Sequence, residues 1–170
     1  SVVLAGNTGN PEARGALPSL QGLVEPLSKK LDGMKVDFLA SPAADLQGLS
    51  ANSKVALMEN LANEPGEIKG DKSFAQSLAT NCDAYVNNAF VASRLGYATI
   101  KHLPSLLESY AGPTLYQKWD ALSSFLSGKN RPAGLILGGL DVAGKTELFK
   151  KMMPFLDAFV AGGVVANTML

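Results

Sequence analysis

Gly139, Gly144, Lys145 and Thr146 stand at G-x-x-x-x-G-K-[ST] spacing inside LILGGLDVAGKTELF. In that pattern bare glycine backbone turns its N–H groups onto a phosphate, the lysine ammonium reaches the outer oxygens and the hydroxyl meets magnesium. The chemistry would be nucleotide hydrolysis or phosphoryl transfer. It also requires an acidic residue at the end of a neighbouring apolar strand to hold the metal. Asp83 and Asp157 each precede an apolar run instead of ending one, so neither answers. His102, the only histidine, has no Cys, Asp or second His at ligand spacing and reads as a structural residue. Cys82, the only cysteine, reads as a buried small apolar residue, and with it alone no internal disulfide forms.

The elements that would position these residues alternate between short apolar runs and helical patterns, the mark of a mostly parallel sheet wrapped by helices. Strands are predicted near Val2–Ala5, Lys35–Phe38, Val55–Met58, Ala84–Asn87, Gly134–Leu137 and Ala158–Val160, and helices near Leu20–Leu31, Asp71–Ala79, Tyr116–Leu126 and Thr146–Phe155. Asp71 is placed to cap the second helix, with Phe74, Ser77 and Leu78 at helical spacing behind it. SYAGPT and SGKNRP bracket the third helix with turn-forming residues and mark a joint in the chain. Leu115, Trp119, Leu122 and Phe125 form an apolar stripe expected to pack that helix. Phe149, Met152, Met153 and Leu156 do the same for the fourth.

The chain has 170 residues, enough for a real core, with fifteen basic and fifteen acidic side chains and zero net charge. No global field draws it to nucleic acid or an anionic membrane. No apolar run reaches transmembrane length and no signal-peptide succession stands at Ser1, so a soluble intracellular chain is expected, in the cytosol or an organelle interior such as the chloroplast.

ALMENLANEPGEIKGDKSFAQSLATNCDAYVNNAFVAS, Ala56 to Ser93, resembles the first-domain core of phosphoglycerate kinases, where a Glu-Asn strand end precedes a Pro-Gly-Glu loop, a helix and a Tyr-Val-Asn-Asp-Ala-Phe segment. SVVLAGNTGNP resembles the family's strand and Ser-His-Leu-Gly-Arg-Pro loop, and SYAGPTLYQKW its linker helix. RPAGLILGGLDVAGK with AGGVVANTML is similar to the opening βαβ of its nucleotide-binding domain. The resemblance implies a three-layer αβα parallel sheet of the phosphoglycerate-kinase N-domain type over 1–108, lacking its first strand and helix. A linker helix over 109–130 and the first βαβ unit of the second, nucleotide-type domain over 131–170 complete it.

The resemblance also points to residual nucleotide contacts at Gly138, Gly139, Lys145, Gly162 and Gly163. Elsewhere the family's cationic contacts are replaced. Asn7 and Asn10 stand for a His and an Arg of the first loop, Ala62 and Leu95 for two further arginines, and Asp141 for a lysine beside the transferred phosphoryl group. Val164 stands for the third glycine of a triple-glycine turn. Charged hydrogen bonds contribute about 1.5–3 kcal/mol each, so losing about four weakens anion binding by on the order of a thousandfold or more. The expectation is therefore a catalytically inactive phosphoglycerate-kinase-like protein, with no catalytic residue, metal or cofactor and no small-molecule substrate. It would serve as a structural or accessory subunit of a protein complex, with partner subunits covering apolar surface around Val160 and Val165. One alternative is a portion of an active phosphoglycerate kinase moving phosphoryl between ADP/ATP, with magnesium, and phosphoglycerate. A second is a phosphate-loop nucleotidase.

Overall fold

The structure, a computed structural model, describes residues 1–9, 17–140 and 142–169. Two compact units divide it, Ser1–Gly112 and Pro113–Leu170. The first runs β1 (Val2–Leu4), a 3-10 turn into α1 (Val24–Lys30), β2 (Val36–Leu39), α2 (Pro42–Gln47) and β3 (Val55–Met58). It continues through α3 (Pro65–Ile68), α4 (Lys72–Ala79), β4 (Ala84–Asn87), α5 (Ala98–Lys101), α6 (Leu103–Leu106) and β5 (Glu108–Ala111).

β3 is the centre of a parallel sheet ordered β1-β3-β2, with Val3 opposite Ala56 and Phe38 opposite Leu57. Its VALM run is apolar throughout because both faces are covered. Ala56 and Met58 point into one cluster with Leu39, Leu46, Leu61, Ala75, Leu78, Ala98 and Leu103. Leu57 points the opposite way, with Leu20 and Val36, against partly buried Val24 and Leu27. Helices thus lie on both faces of the sheet, the α/β layering predicted.

Asp71 caps α4 as expected, its Oδ1 accepting from Ser73 N–H at 2.7 Å, and Ala75 and Leu78 form the buried face. The turn ahead of that cap needs Gly70: its φ is +66°, and a Cβ there would run into Gly96 O. The SYA segment predicted as a turn is instead β5, pairing in parallel with β4, Ala84 opposite Glu108 and Asn87 opposite Ala111. All four β5 residues are exposed, so it carries no inward-outward alternation that a sequence reading could detect.

The second unit contains α7 (Pro113–Leu126), β6 (Gly134–Leu137), α8 (Val142–Met152), a 3-10 turn, β7 (Ala158–Ala161) and α9 (Gly163–Met169). β6 and β7 pair in parallel with Gly134 opposite Ala158 and Leu137 opposite Ala161, a βαβ unit. Phe149 of α8 stacks on Phe159 of β7 at 4.2 Å between ring centroids. Behind β6 and β7, Arg131 and Asp157 pair at 2.8 Å, and Asp157 accepts from Ala133 N–H at 2.7 Å. The Arg131 guanidinium, with that N–H, holds the Asp157 carboxyl below its usual range. Three expectations need correction here. α8 opens at Val142, four residues earlier than predicted. No residue of α7 is buried and Trp119 is 62% exposed, so the stripe does not form a packed core. Val165 is fully buried, leaving Val160 as the exposed member of that pair.

Candidate functional site

At the C-terminal ends of β6 and β7 the register sets two glycine turns side by side. Leu137 pairs with Ala161, so Gly138–Gly139 and Gly162–Gly163 leave the sheet together, and Gly162 N–H donates to Leu137 O at 2.8 Å. This is the edge where open α/β sheets receive ligands. Gly139 has φ +97°, a left-handed conformation that favours glycine, and a Cβ there would meet the Lys145 ammonium and push that flexible side chain aside. Lys145 Nζ donates to Gly138 O, which draws the cation back over the first glycine turn. Gly138, Gly139, Lys145, Gly162 and Gly163 are thus gathered at one sheet edge. Val164 follows in α9, 45% exposed. Asp141, expected beside them, lies outside the described residues.

The phosphate-loop reading fails on this geometry. Between Gly139 and Lys145 a phosphate loop must curl as non-helical backbone, yet Val142 and Ala143 already belong to α8 and place Gly144 and Lys145 inside the helix. Thr146 Oγ1 donates to Val142 O at 2.8 Å, the back-bond of a helical threonine, and does not face a metal.

In the first unit a second set of polar groups organises the loops after β1 and β3. Asn60 is fully buried at the end of β3. Its Oδ1 accepts from Thr8 N–H and Ala62 N–H, both at 3.1 Å, and its Nδ2 donates to Thr8 O at 2.9 Å and Pro18 O at 2.8 Å. Beside it, Glu59 accepts from Leu20 N–H at 2.8 Å, Asn60 N–H at 2.6 Å and Ser19 Oγ at 2.5 Å. Burial pushes the Glu59 carboxyl up, but these three donors outweigh it and hold the group below its ordinary value. The loop carrying Asn7 is therefore pinned from β3, with Asn7 itself exposed.

The remaining predicted positions are spread out. Ala62 is buried in the 3-10 turn after β3, and Leu95 is half-buried at the end of the turn over Ala92–Arg94. Neither offers a polar side chain to a ligand. Asn10 lies outside the described residues. His102 Nε2–H donates to Gly70 O at 3.0 Å, which ties it to the turn ahead of α4. Cys82 is partly buried against the larger cluster, and burial followed by the Asp83 charge pushes its thiol up.

The sequence reading missed Glu67, which is 2% exposed. It accepts from Thr99 N–H at 3.0 Å and from Thr99 Oγ1 at 2.5 Å. Burial raises its carboxyl despite those two donors, and the half-buried Tyr85 hydroxyl is pushed up to about 12, by desolvation first and then by the Glu67 charge. An acid in a Pro-Gly-Glu turn ahead of a capped helix carries no mark of burial in sequence. Only the return of α5 across it buries it.

Residues 1–170 match the family model for phosphoglycerate kinase. The phosphoglycerate kinase of Agrobacterium fabrum is 35% identical over 162 residues, covering 95% of this chain and 40% of that protein. That of a Methylorubrum extorquens strain is 36% identical over 174 residues, covering 99% and 43%. Among solved structures, phosphoglycerate kinase from Coxiella burnetii superposes with a TM-score of 0.79 at 29% identity, covering 99% of this chain and 43% of that one. The enzyme from Pyrococcus horikoshii OT3 gives 0.83 at 21% identity, a likeness of fold, over 97% and 44%. The chain spans about two fifths of the length of the relatives it matches.

Proposed function

Because the chain belongs to the phosphoglycerate kinase family, we propose that it is a portion of a phosphoglycerate kinase and contributes to phosphoryl transfer between ADP/ATP and phosphoglycerate. Two expectations are corrected by that membership. A catalytically inactive protein does not fit a family model and relatives of 35% and 36% identity that are all named as the kinase. The absence of a cofactor falls with it, and ATP or ADP with magnesium takes its place.

The observation that supports this reading is the paired glycine turns at the end of β6 and β7 with Lys145 beside them. Glycine backbone admits phosphate oxygens closely, and a lysine ammonium is a compact donor to them. Among the described residues no three His, Cys, Asp or Glu converge on a metal position. In the same reading Asn7, Ala62 and Leu95 leave the first unit without forked cations at those points. The helix expected over 109–130 is α7, Pro113–Leu126, at the start of the second unit, and no helix among the described residues is long and apolar enough to cross a membrane.

Calorimetric titration of the chain with MgADP tests the reading. A saturable isotherm weakened at least tenfold by Lys145→Ala, with weaker binding of 3-phosphoglycerate than of nucleotide, is expected. A flat nucleotide isotherm at millimolar ligand sinks it.

A further inference from the structure

α5 is a single turn, Ala98–Lys101, too short to hold itself together, and it is fastened from outside at both ends. At its start the Thr99 N–H, which has no acceptor inside the helix, donates to Glu67 Oε2 at 3.0 Å, and Thr99 Oγ1 donates to Glu67 Oε1 at 2.5 Å. At its end His102 Nε2–H donates to Gly70 O at 3.0 Å. Between the two, Gly96 O comes so near Gly70 that a Cβ on that glycine would run into it. Each fastening therefore has a titratable side chain as one partner.

The two respond differently to pH. The His102 bond has its Nε2–H donor in the neutral tautomer that makes it and in the imidazolium alike, and Asp71 of the same turn lies near enough to feel the ring's charge. Glu67 has no such indifference. A carboxylate offers about four acceptor sites, and Thr99 alone fills two of them. α3, which carries Glu67, packs against α4, α5 and the 3-10 turn after β3. Those elements bury Ala75 and Leu78, Ala98 and Thr99, and Leu61 and Ala62, none of them a cation. Among the described residues no Lys, Arg or His pairs with Glu67, and the titratable group that feels its charge is the Tyr85 hydroxyl of β4.

A buried carboxylate without a cation is costly, and the neutral acid is not. With the proton on Oε1, the acid still accepts the Thr99 N–H on Oε2 and donates to Thr99 Oγ1, so both bonds to α5 remain. Losing that proton to solvent leaves a charge that Thr99 does not satisfy. Moving α5 aside admits water to it.

We propose that Glu67 and Thr99 form a pH-sensitive latch, closed when Glu67 is protonated and released when it ionises, which fastens α5 and the segment of residues 91–97 leading into it to the corner between α3 and α4. Burial raises the Glu67 carboxyl, so the latch is fully closed below the unfolded value, near pH 4, and lets go as pH rises through the raised folded value.

Hydrogen exchange at the Thr99 amide between pH 4 and 8, corrected for the intrinsic exchange rate, tests this. The opening equilibrium is expected to grow at least threefold with pH in the wild type and to stay level in Glu67→Gln, which keeps an acceptor for Thr99 and cannot ionise. Low concentrations of urea separate release of α5 from global unfolding, because a local opening exposes little surface and gives a shallow slope. Should Glu67→Gln fail to fold, Thr99→Val decides: it takes one donor from the carboxylate, and the amide at position 99 should open more steeply with pH than in the wild type. A level profile in the wild type, the same rise in Glu67→Gln, an unchanged rise in Thr99→Val, or a urea slope equal to that of global unfolding overturns the proposal.

Discussion

Asn60 holds Thr8 by both sides of its backbone: Oδ1 accepts the Thr8 N–H at 3.1 Å and Nδ2 donates to the Thr8 carbonyl at 2.9 Å. A side-chain amide here does what a neighbouring strand would do, and it continues the pairing of β1 with β3 beyond the end of the sheet. With Pro18 O and Ala62 N–H also on Asn60, two loops depend on one buried residue.

Asn60→Ala should therefore lower unfolding free energy by about 2–4 kcal/mol, since it strands several backbone groups in a buried place. Urea denaturation followed by circular dichroism measures it. A loss under about 0.5 kcal/mol would show that water replaces the amide freely.

Glu67 makes stability depend on pH in a direction opposite to an ordinary ion-paired acid. Its folded carboxyl is raised above the unfolded value by burial, so the native state binds the proton more tightly. That contribution is complete below the unfolded value, near pH 4, and is lost as pH rises through the raised folded value. Glu67→Gln keeps an acceptor for Thr99 and removes the titration. The wild type should lose stability relative to this variant as pH climbs above about 4, which melts of the two proteins across pH 3–8 would reveal.

Asp71→Ala should cost about 1 kcal/mol, the usual loss of an N-cap, because Ser73 N–H at the start of α4 loses its acceptor. Asp71→Asn should restore most of it. Equal losses in both variants would mean that charge and not the hydrogen bond matters.

Gly139→Ala tests the sheet-edge site. A Cβ at φ +97° strains the turn and displaces Lys145 Nζ, so a stability loss of about 1–2 kcal/mol and at least a tenfold loss of MgADP affinity are expected. Unchanged nucleotide affinity in a folded variant would separate Gly139 from the ligand.

The sequence alone determined the strands at Val55–Met58, Ala84–Asn87 and Gly134–Leu137, the cap at Asp71 and the family, because apolar runs, cap chemistry and ordered motifs are local properties of the chain. The candidate glycines and Lys145 were legible for the same reason. Their assembly was not: it follows from the register of β6 on β7, a contact between segments about two dozen residues apart. β5 escaped detection because it is polar and exposed, and it exists only by pairing with β4. The burial of Glu67 and Val165 and the exposure of Trp119 depend likewise on what returns to cover a residue. Local pattern records which side chains prefer burial. Which of them are buried is settled by long-range packing.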